Sequence, residues 1–195
     1  MIRYIIFFAL FIAIWIINGR WIAHAMRQNI ISEIFMHSGL GLFFTMLTFE
    51  LTIGNTGLVG HLHIQPLKIT GYILYIPASL LIASSLIALH KYGNPHSEDI
   101  TDTSTIVENG IYSIIRQPMT LGMAIFSIAL ILIFPSIPNL IAQTIAFASF
   151  LISALTETKF NIEKFGSTYI DYMHRVPLWN IIKGLRYLSK QRSKS

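Results

Sequence analysis

Long stretches of this chain carry almost no charge, and that feature decides the solvent in which it folds. The residues are overwhelmingly apolar from Tyr4 to Ile17 (with a possible extension to Ala25), from Ile34 to Ile53 and from Ile69 to Leu89. Two further runs, Met119 to Phe134 and Leu140 to Leu155, flank the short turn Pro135-Ser136-Ile137-Pro138. A helix needs about 20 apolar residues to cross a bilayer core of about 30 Å. The last two runs supply about 16 residues each, roughly 24 Å of helix, and read as a helical hairpin that barely crosses. Over the 195 residues, 53% are hydrophobic and 12% charged, whereas a soluble domain carries about a quarter charged residues. The expected fold is all-α: one integral membrane bundle of about five transmembrane helices spanning residues 1–195. Residues 1–90 hold three spans, with Pro77 as an expected kink, and residues 91–195 hold a loop, the hairpin and a tail.

The distribution of lysine and arginine orients the bundle, because cytoplasmic loops retain the excess of positive charge. With the N-terminus outside, only Arg3 and Lys68 face out. Arg20, Arg27, Lys91 and Arg116 then lie inside, together with the tail cations from Lys159 to Lys194. The C-terminus is expected in the cytoplasm, and the expected location is a cell membrane of prokaryotic type. The net charge of +5 therefore points to anionic lipid head groups as partners and not to nucleic acid. The absence of cysteine excludes disulfides, thiolate metal sites and a cysteine nucleophile. A secretory leader is a rival reading of the first run, since Ala23-His24-Ala25 has the A-x-A form of a cleavage site. Arg20 and Trp21 stand between the apolar core and that point, so the first helix is expected to be retained.

Polar residues collect on the cytoplasmic side. The segment from Lys91 to Pro118 carries Glu98, Asp99, Asp102 and Glu108, and ends in Gly110-Ile111-Tyr112-Ser113-Ile114-Ile115-Arg116-Gln117-Pro118. Glu157 stands at the end of the fifth span, and the hairpin brings it to the same face as Arg116. An intramembrane or juxtamembrane acid near a cation from another segment marks a candidate site; a snorkelling interface pair is the plainer reading. Beyond Pro177, Leu178, Ile181, Ile182, Leu185 and Leu188 recur at helical spacing with Lys183, Arg186 and Lys190 on other faces. That pattern predicts a C-terminal amphipathic interfacial helix. Elsewhere, His61 and His63 lack the further ligands that a metal site needs and read as exposed loop histidines. No metal is expected. A haem between His37 and His90 has no supporting motif. Glu50, near the outer end of the second span, reads as an interface acid.

The stretch Val107-Glu108-Asn109-Gly110-Ile111-Tyr112, followed by Arg116-Gln117-Pro118-Met119-Thr120-Leu121-Gly122, resembles the L-V-x-x-G-x-Y…R-[HN]-P-M-Y-L-G signature of isoprenylcysteine carboxyl methyltransferase and phospholipid methyltransferase-like membrane enzymes. Gly93-Asn94-Pro95-His96 resembles the G-x-P-x-P entry of one branch. Downstream, Glu157, Phe165-Gly166, Tyr169, Tyr172 and Val176-Pro177 match the family's spacing, and the likeness covers about residues 90 to 180. It implies S-adenosylmethionine-dependent methyl transfer to a lipophilic or lipidated acceptor at the cytoplasmic membrane face, with the loop after residue 90 binding the cofactor.

Arg116 and Glu157 are the catalytic candidates under this resemblance, with Arg116 on the cofactor carboxylate or bracing the loop against Glu157. Val107, Gly110, Ile111 and Tyr112 are expected against the nucleoside. Gln117 and Pro118 shape the adenosine pocket, Gly122 leaves space beside the fourth span, and Glu157 faces the cofactor amine or the acceptor. Turn, helix-start and interface-belt roles are the plainer readings of Gly110, Pro118 and Tyr112.

Three positions depart from the family pattern: Gln117 for His or Asn, Thr120 for Tyr, and Thr158 for the second Glu of a pair. Two rival functions follow. A membrane sterol reductase has a similar R-H-P-x-Y-x-G stretch and uses a nicotinamide cofactor. A degenerate, non-enzymatic member of the same fold fits the missing Tyr and Glu. The sequence does not identify the acceptor, with a prenylcysteine carboxylate, a phospholipid amine and a small thiol all open.

Overall fold

The computed structural model describes residues 1–93 and 103–192. Asn94, Pro95, His96, Glu98, Asp99 and Asp102, singled out above, lie outside the described residues. Among the described residues, seven α-helices follow in order: α1 (Ile2–Gln28), α2 (Ile31–Thr52), α3 (Gln65–Tyr92), α4 (Pro118–Ile133), α5 (Ile137–Phe165), α6 (Ser167–Arg175) and α7 (Ile181–Arg192). Helices α1, α2, α3 and α5 are long and apolar enough to cross a bilayer, whereas α4 has 16 residues and is a shorter apolar helix. The protein is an all-α, multi-pass membrane bundle.

Local chemistry sets where these helices start and stop. Asn29 takes the left-handed conformation (φ 58°) after α1, and its N–H closes on the Ala25 and Met26 carbonyls; asparagine is among the residues that tolerate this C-terminal geometry. Proline stands in the first turn of α3, α4 and α5, where its missing N–H costs nothing. The Ser136 side chain caps α5 by accepting from the Asn139 N–H. Pro77 lies inside α3, which continues as one helix.

In lipid, helices associate through close packing, because water no longer drives apolar faces together. Here α3 packs on α4, α2 on α5, α1 on α2, and α4 on α5. Phe43, Met123, Ala124, Leu130, Ala146 and Phe150 form the central cluster. Small residues allow the tightest approaches. A Cβ on Gly71 of α3 would fall 2.8 Å from the Ala129 carbonyl oxygen of α4. A Cβ on Gly122 of α4 would fall 3.0 Å from the Ala78 carbonyl oxygen of α3.

Two expectations need correction. Hydropathy ends the fifth span at Leu155, yet α5 continues to Phe165. The added turns are built of polar residues that still favour helix, such as Glu157, Lys159 and Glu163. Glu50 is not an interface acid: it is fully buried. His61 comes from the loop after α2 to meet it at 2.8 Å, and its side chain is 13% exposed. The Ser136 hydroxyl donates to the other carboxylate oxygen at 3.4 Å, and the Leu62 N–H donates to the Pro135 carbonyl at 3.0 Å. A charge in an apolar medium needs such partners, and the turn between α4 and α5 supplies one. His63 is exposed, and His37 stacks on Trp21 and contacts Asn18.

Candidate functional site

The opposite end of the bundle, where α3 ends, α4 begins and α5 emerges, gathers most of the chemistry-bearing residues. Among the described residues between α3 and α4, the chain forms a single 3-10 turn, Gly110–Ser113. Gly110 has φ 63°, a left-handed conformation that glycine adopts without strain. A Cβ added there would lie 3.6 Å from the Ala88 side chain of α3, an ordinary contact. Val107 is buried against Ala88 and Leu89, with Tyr112 beside them, so its side chain anchors the loop to α3. The Tyr112 hydroxyl lies within hydrogen-bonding reach of the Ser85 side chain and feels the charge of Glu157.

Glu157 of α5 is half-buried, and its carboxyl lies within hydrogen-bonding reach of the Gln117 and Asn161 side chains. Glu33, in the first turn of α2, interacts electrostatically with it. The α2–α5 packing explains this approach: the Ser153 hydroxyl, one turn before Glu157, donates to the Ser32 carbonyl at 2.8 Å. Arg116 completes the group. Its guanidinium lies within hydrogen-bonding reach of the Tyr169 hydroxyl, while its buried Nε and Nη1 have no hydrogen-bond partner among the described residues. No ion pair joins Arg116 to Glu157 among the described residues.

The segment after α5 folds back over this group. Gly166 has φ 61° and turns the chain into α6, whose Tyr169 and Tyr172 are buried with Val176. The Tyr172 hydroxyl donates to the Tyr112 carbonyl at 2.7 Å, and Arg175 pairs with Glu108 at 2.8 Å. Further along, the Arg116 N–H donates to the Pro177 carbonyl at 3.0 Å and the Gln117 N–H to the Leu178 carbonyl at 3.4 Å. Trp179 donates to the Thr120 hydroxyl at 3.2 Å, and Gly184 of α7 presses its backbone on the Ile114 carbonyl. Burial pushes the Tyr112, Tyr169 and Tyr172 hydroxyls above the ordinary tyrosine range, and nearby Glu157 adds to the effect on Tyr112. All three therefore keep their protons, and Tyr172 uses its own to reach the Tyr112 carbonyl.

Of the residues singled out in the sequence, Tyr112, Arg116, Gln117 and Glu157 come together. Ile111 belongs to the same 3-10 turn. Val107 and Gly110 lie against α3. Pro118 is fully buried at the start of α4, and Gly122 fits against Ala78 and Ile82 of α3, so the space that it leaves is filled by helix packing. Glu33, Asn161 and Ser85 escaped the sequence reading. Asn161 carried a signal, since it stands one turn beyond Glu157; Glu33 and Ser85 reach the site only through packing between spans.

The donor set fits an amino-acid zwitterion: a buried guanidinium with unused donors faces a negative group, and an oriented carboxyl suits a positive one. S-adenosylmethionine carries both groups at one end. No curated protein and no solved structure matches the chain significantly. A family model described as phospholipid methyltransferase matches residues 67–168, a range that runs from the first turn of α3 to the start of α6 and encloses Tyr112, Arg116, Gln117 and Glu157. The match covers more than half of the chain, which belongs to the phospholipid methyltransferase family of membrane methyltransferases.

Proposed function

We propose that the protein transfers a methyl group from S-adenosylmethionine to a lipophilic acceptor, a prenylcysteine-type carboxylate or a phospholipid amine, at the cytoplasmic face of the membrane. The observation that carries this reading is the Arg116 guanidinium, which keeps two buried nitrogens unpartnered close to an acid that is already oriented. An unsatisfied buried donor costs about 1–3 kcal/mol, and a ligand carboxylate placed against Arg116 would remove that cost.

Bound there, S-adenosylmethionine supplies a methyl already activated by its sulfonium, so positioning and exclusion of water account for most of the catalysis. The residues of the chain do the positioning. Arg116 pairs with the carboxylate, and Glu157, held by Gln117 and Asn161, faces the ammonium or the acceptor head group. Gly110, Ile111 and Tyr112 offer backbone and ring contacts to the nucleoside, while Val107 and Pro118 fix that loop and helix start. The α6 tyrosines and the 176–179 segment cover the group and keep water away. The acceptor enters from the bilayer and the soluble cofactor from the cytoplasm, which is the side on which the positive charge is concentrated.

Calorimetric titration of the detergent-purified protein with S-adenosylhomocysteine tests the reading. We expect micromolar binding, with Arg116→Ala and Glu157→Ala each weakening it by about a hundredfold while helicity is retained. Unchanged binding in both variants would overturn these residue roles. Absence of binding to the folded wild-type protein would overturn the cofactor itself and favour a non-enzymatic member of the family.

A further inference from the structure

A separate cleft of about 520 Å³ lies between α6 and α7, lined in part by His174, Arg175, Asn180, Lys183, Arg186 and Lys190. Among the described residues, no acidic side chain lines it. Arg175 is already engaged by Glu108 at 2.8 Å, whereas Lys183 and Arg186 have no ionic partner among the described residues. Three residues apart on a helix, they project from the same side. The Asn180 side chain caps the start of α7 by accepting from the Lys183 N–H at 2.9 Å, which holds that first turn in place.

We infer that this cleft binds the phosphate of an anionic phospholipid of the bilayer. Guanidinium and ammonium groups converging from one helix suit the oxygens of a phosphate. The apolar neighbours identify the lipid as its source. Ile182 is 65% exposed and Leu185 49%, on the same short helix as the two cations. That surface is unfavourable in water and favourable against acyl chains. The cleft is also coupled to the site described above: Gly184, between Lys183 and Leu185, rests on the Ile114 carbonyl, and Arg175 ties α6 to the same loop through Glu108. A bound lipid thus holds the tail in its closed position. The inference does not depend on which molecule is methylated, or on methylation at all.

Native mass spectrometry of the full chain, released from nanodiscs of phosphatidylcholine with a minority of phosphatidylglycerol, tests it. The wild-type protein should retain phosphatidylglycerol with a preference of about tenfold, given the contribution of each basic residue near anionic lipid. The double variant Lys183→Gln/Arg186→Gln should lose that preference. Lys183→Gln alone should lose part of it, and Lys159→Gln, which alters an exposed cation outside the cleft, should lose none. Equal retention by the wild type and the double variant, both with native helicity, would overturn the inference. So would an equal loss from Lys159→Gln, which would mean diffuse attraction and no site. Displacement of the lipid by millimolar inorganic phosphate would reassign the cleft to a soluble phosphate and overturn the lipid as occupant.

Discussion

At one end of the bundle Glu50 gives both carboxylate oxygens to partners, His61 at 2.8 Å and Ser136 at 3.4 Å. At the other end Arg116 keeps two buried guanidinium nitrogens without any among the described residues. Both regions hold ionisable groups away from water, and the physical demand is the same. The difference lies in who meets it. The Glu50 end is closed by the chain itself, tying the loop after α2 to the turn between α4 and α5, and its role is structural. The Arg116 end leaves donors unused in a group that also holds an oriented acid, and this arrangement favours binding over stability.

Substitutions can break or sharpen this contrast. Glu50→Ala should have the largest effect, about 1–3 kcal/mol of lost stability, because it takes the partner from the His61 ring and the acceptor from the buried Ser136 hydroxyl. Thermal unfolding in detergent measures it, and S-adenosylhomocysteine binding by the fraction that stays folded should not change. Arg116→Met should act with the opposite sign. It removes two unsatisfied donors, each costing about 1–3 kcal/mol, so the ligand-free protein should melt no lower, and by this reasoning higher, than the wild type while binding disappears. A marked drop in melting temperature would show that Arg116 holds the fold together, and the contrast between the two ends would collapse. Tyr172→Phe removes the hydroxyl that donates to the Tyr112 carbonyl. It should cost about 0.5–1.5 kcal/mol and speed limited proteolysis between α5 and α6.

The smallest effect concerns pH. The Tyr112, Tyr169 and Tyr172 hydroxyls are raised by burial in the folded protein. Their contribution to stability is therefore complete below the ordinary tyrosine value of about 10, and is lost as pH rises from there through the folded values. Unfolding scans at about pH 8 and about pH 11 should show this loss, attenuated in Tyr172→Phe. An identical loss in that variant would remove Tyr172 from the account.

How far the sequence could be read depended on whether a residue acts through its own segment or through a neighbour. Apolar runs marked α2 to α4 to within a few residues, because in a bilayer length and hydropathy alone define a span, whereas α1 runs on past Ile17 to Gln28 through polar residues such as Arg20 and His24. The 3-10 turn at Gly110 and the helix start at Pro118 were legible from local rules about glycine and proline. The last three turns of α5 were not, since hydropathy stops at Leu155 whereas hydrogen bonding along a helix does not. Glu33 stands in the first turn of α2, where the helix dipole favours an acid, and nothing in its own segment sets it apart. Its approach to Glu157 depends on the packing of α2 against α5, which no spacing within either segment encodes. Glu50 and His61 are only 11 residues apart, yet the pairing was hidden for a different reason: burial of Glu50 depends on the turn that carries Ser136, far along the chain.

The reciprocal glycine contacts between α3 and α4 bear on access. Gly71 accepts the Ala129 carbonyl at one height of the pair and Gly122 accepts the Ala78 carbonyl at another, so neither helix can slide or tilt much against the other. The loop that carries Tyr112 and Arg116 leaves the end of α3 and enters the start of α4, and its two posts are thereby fixed like the sides of a window frame. The sash is the tail, held by the Pro177 and Leu178 carbonyls, the Tyr172 hydroxyl and the Arg175–Glu108 pair. A handful of polar contacts is far cheaper to undo than two interlocked helices. On the proposed function, exchange of the cofactor should therefore run at the pace at which the segment from α6 to Trp179 lifts and resettles, while the membrane-embedded walls keep their shape.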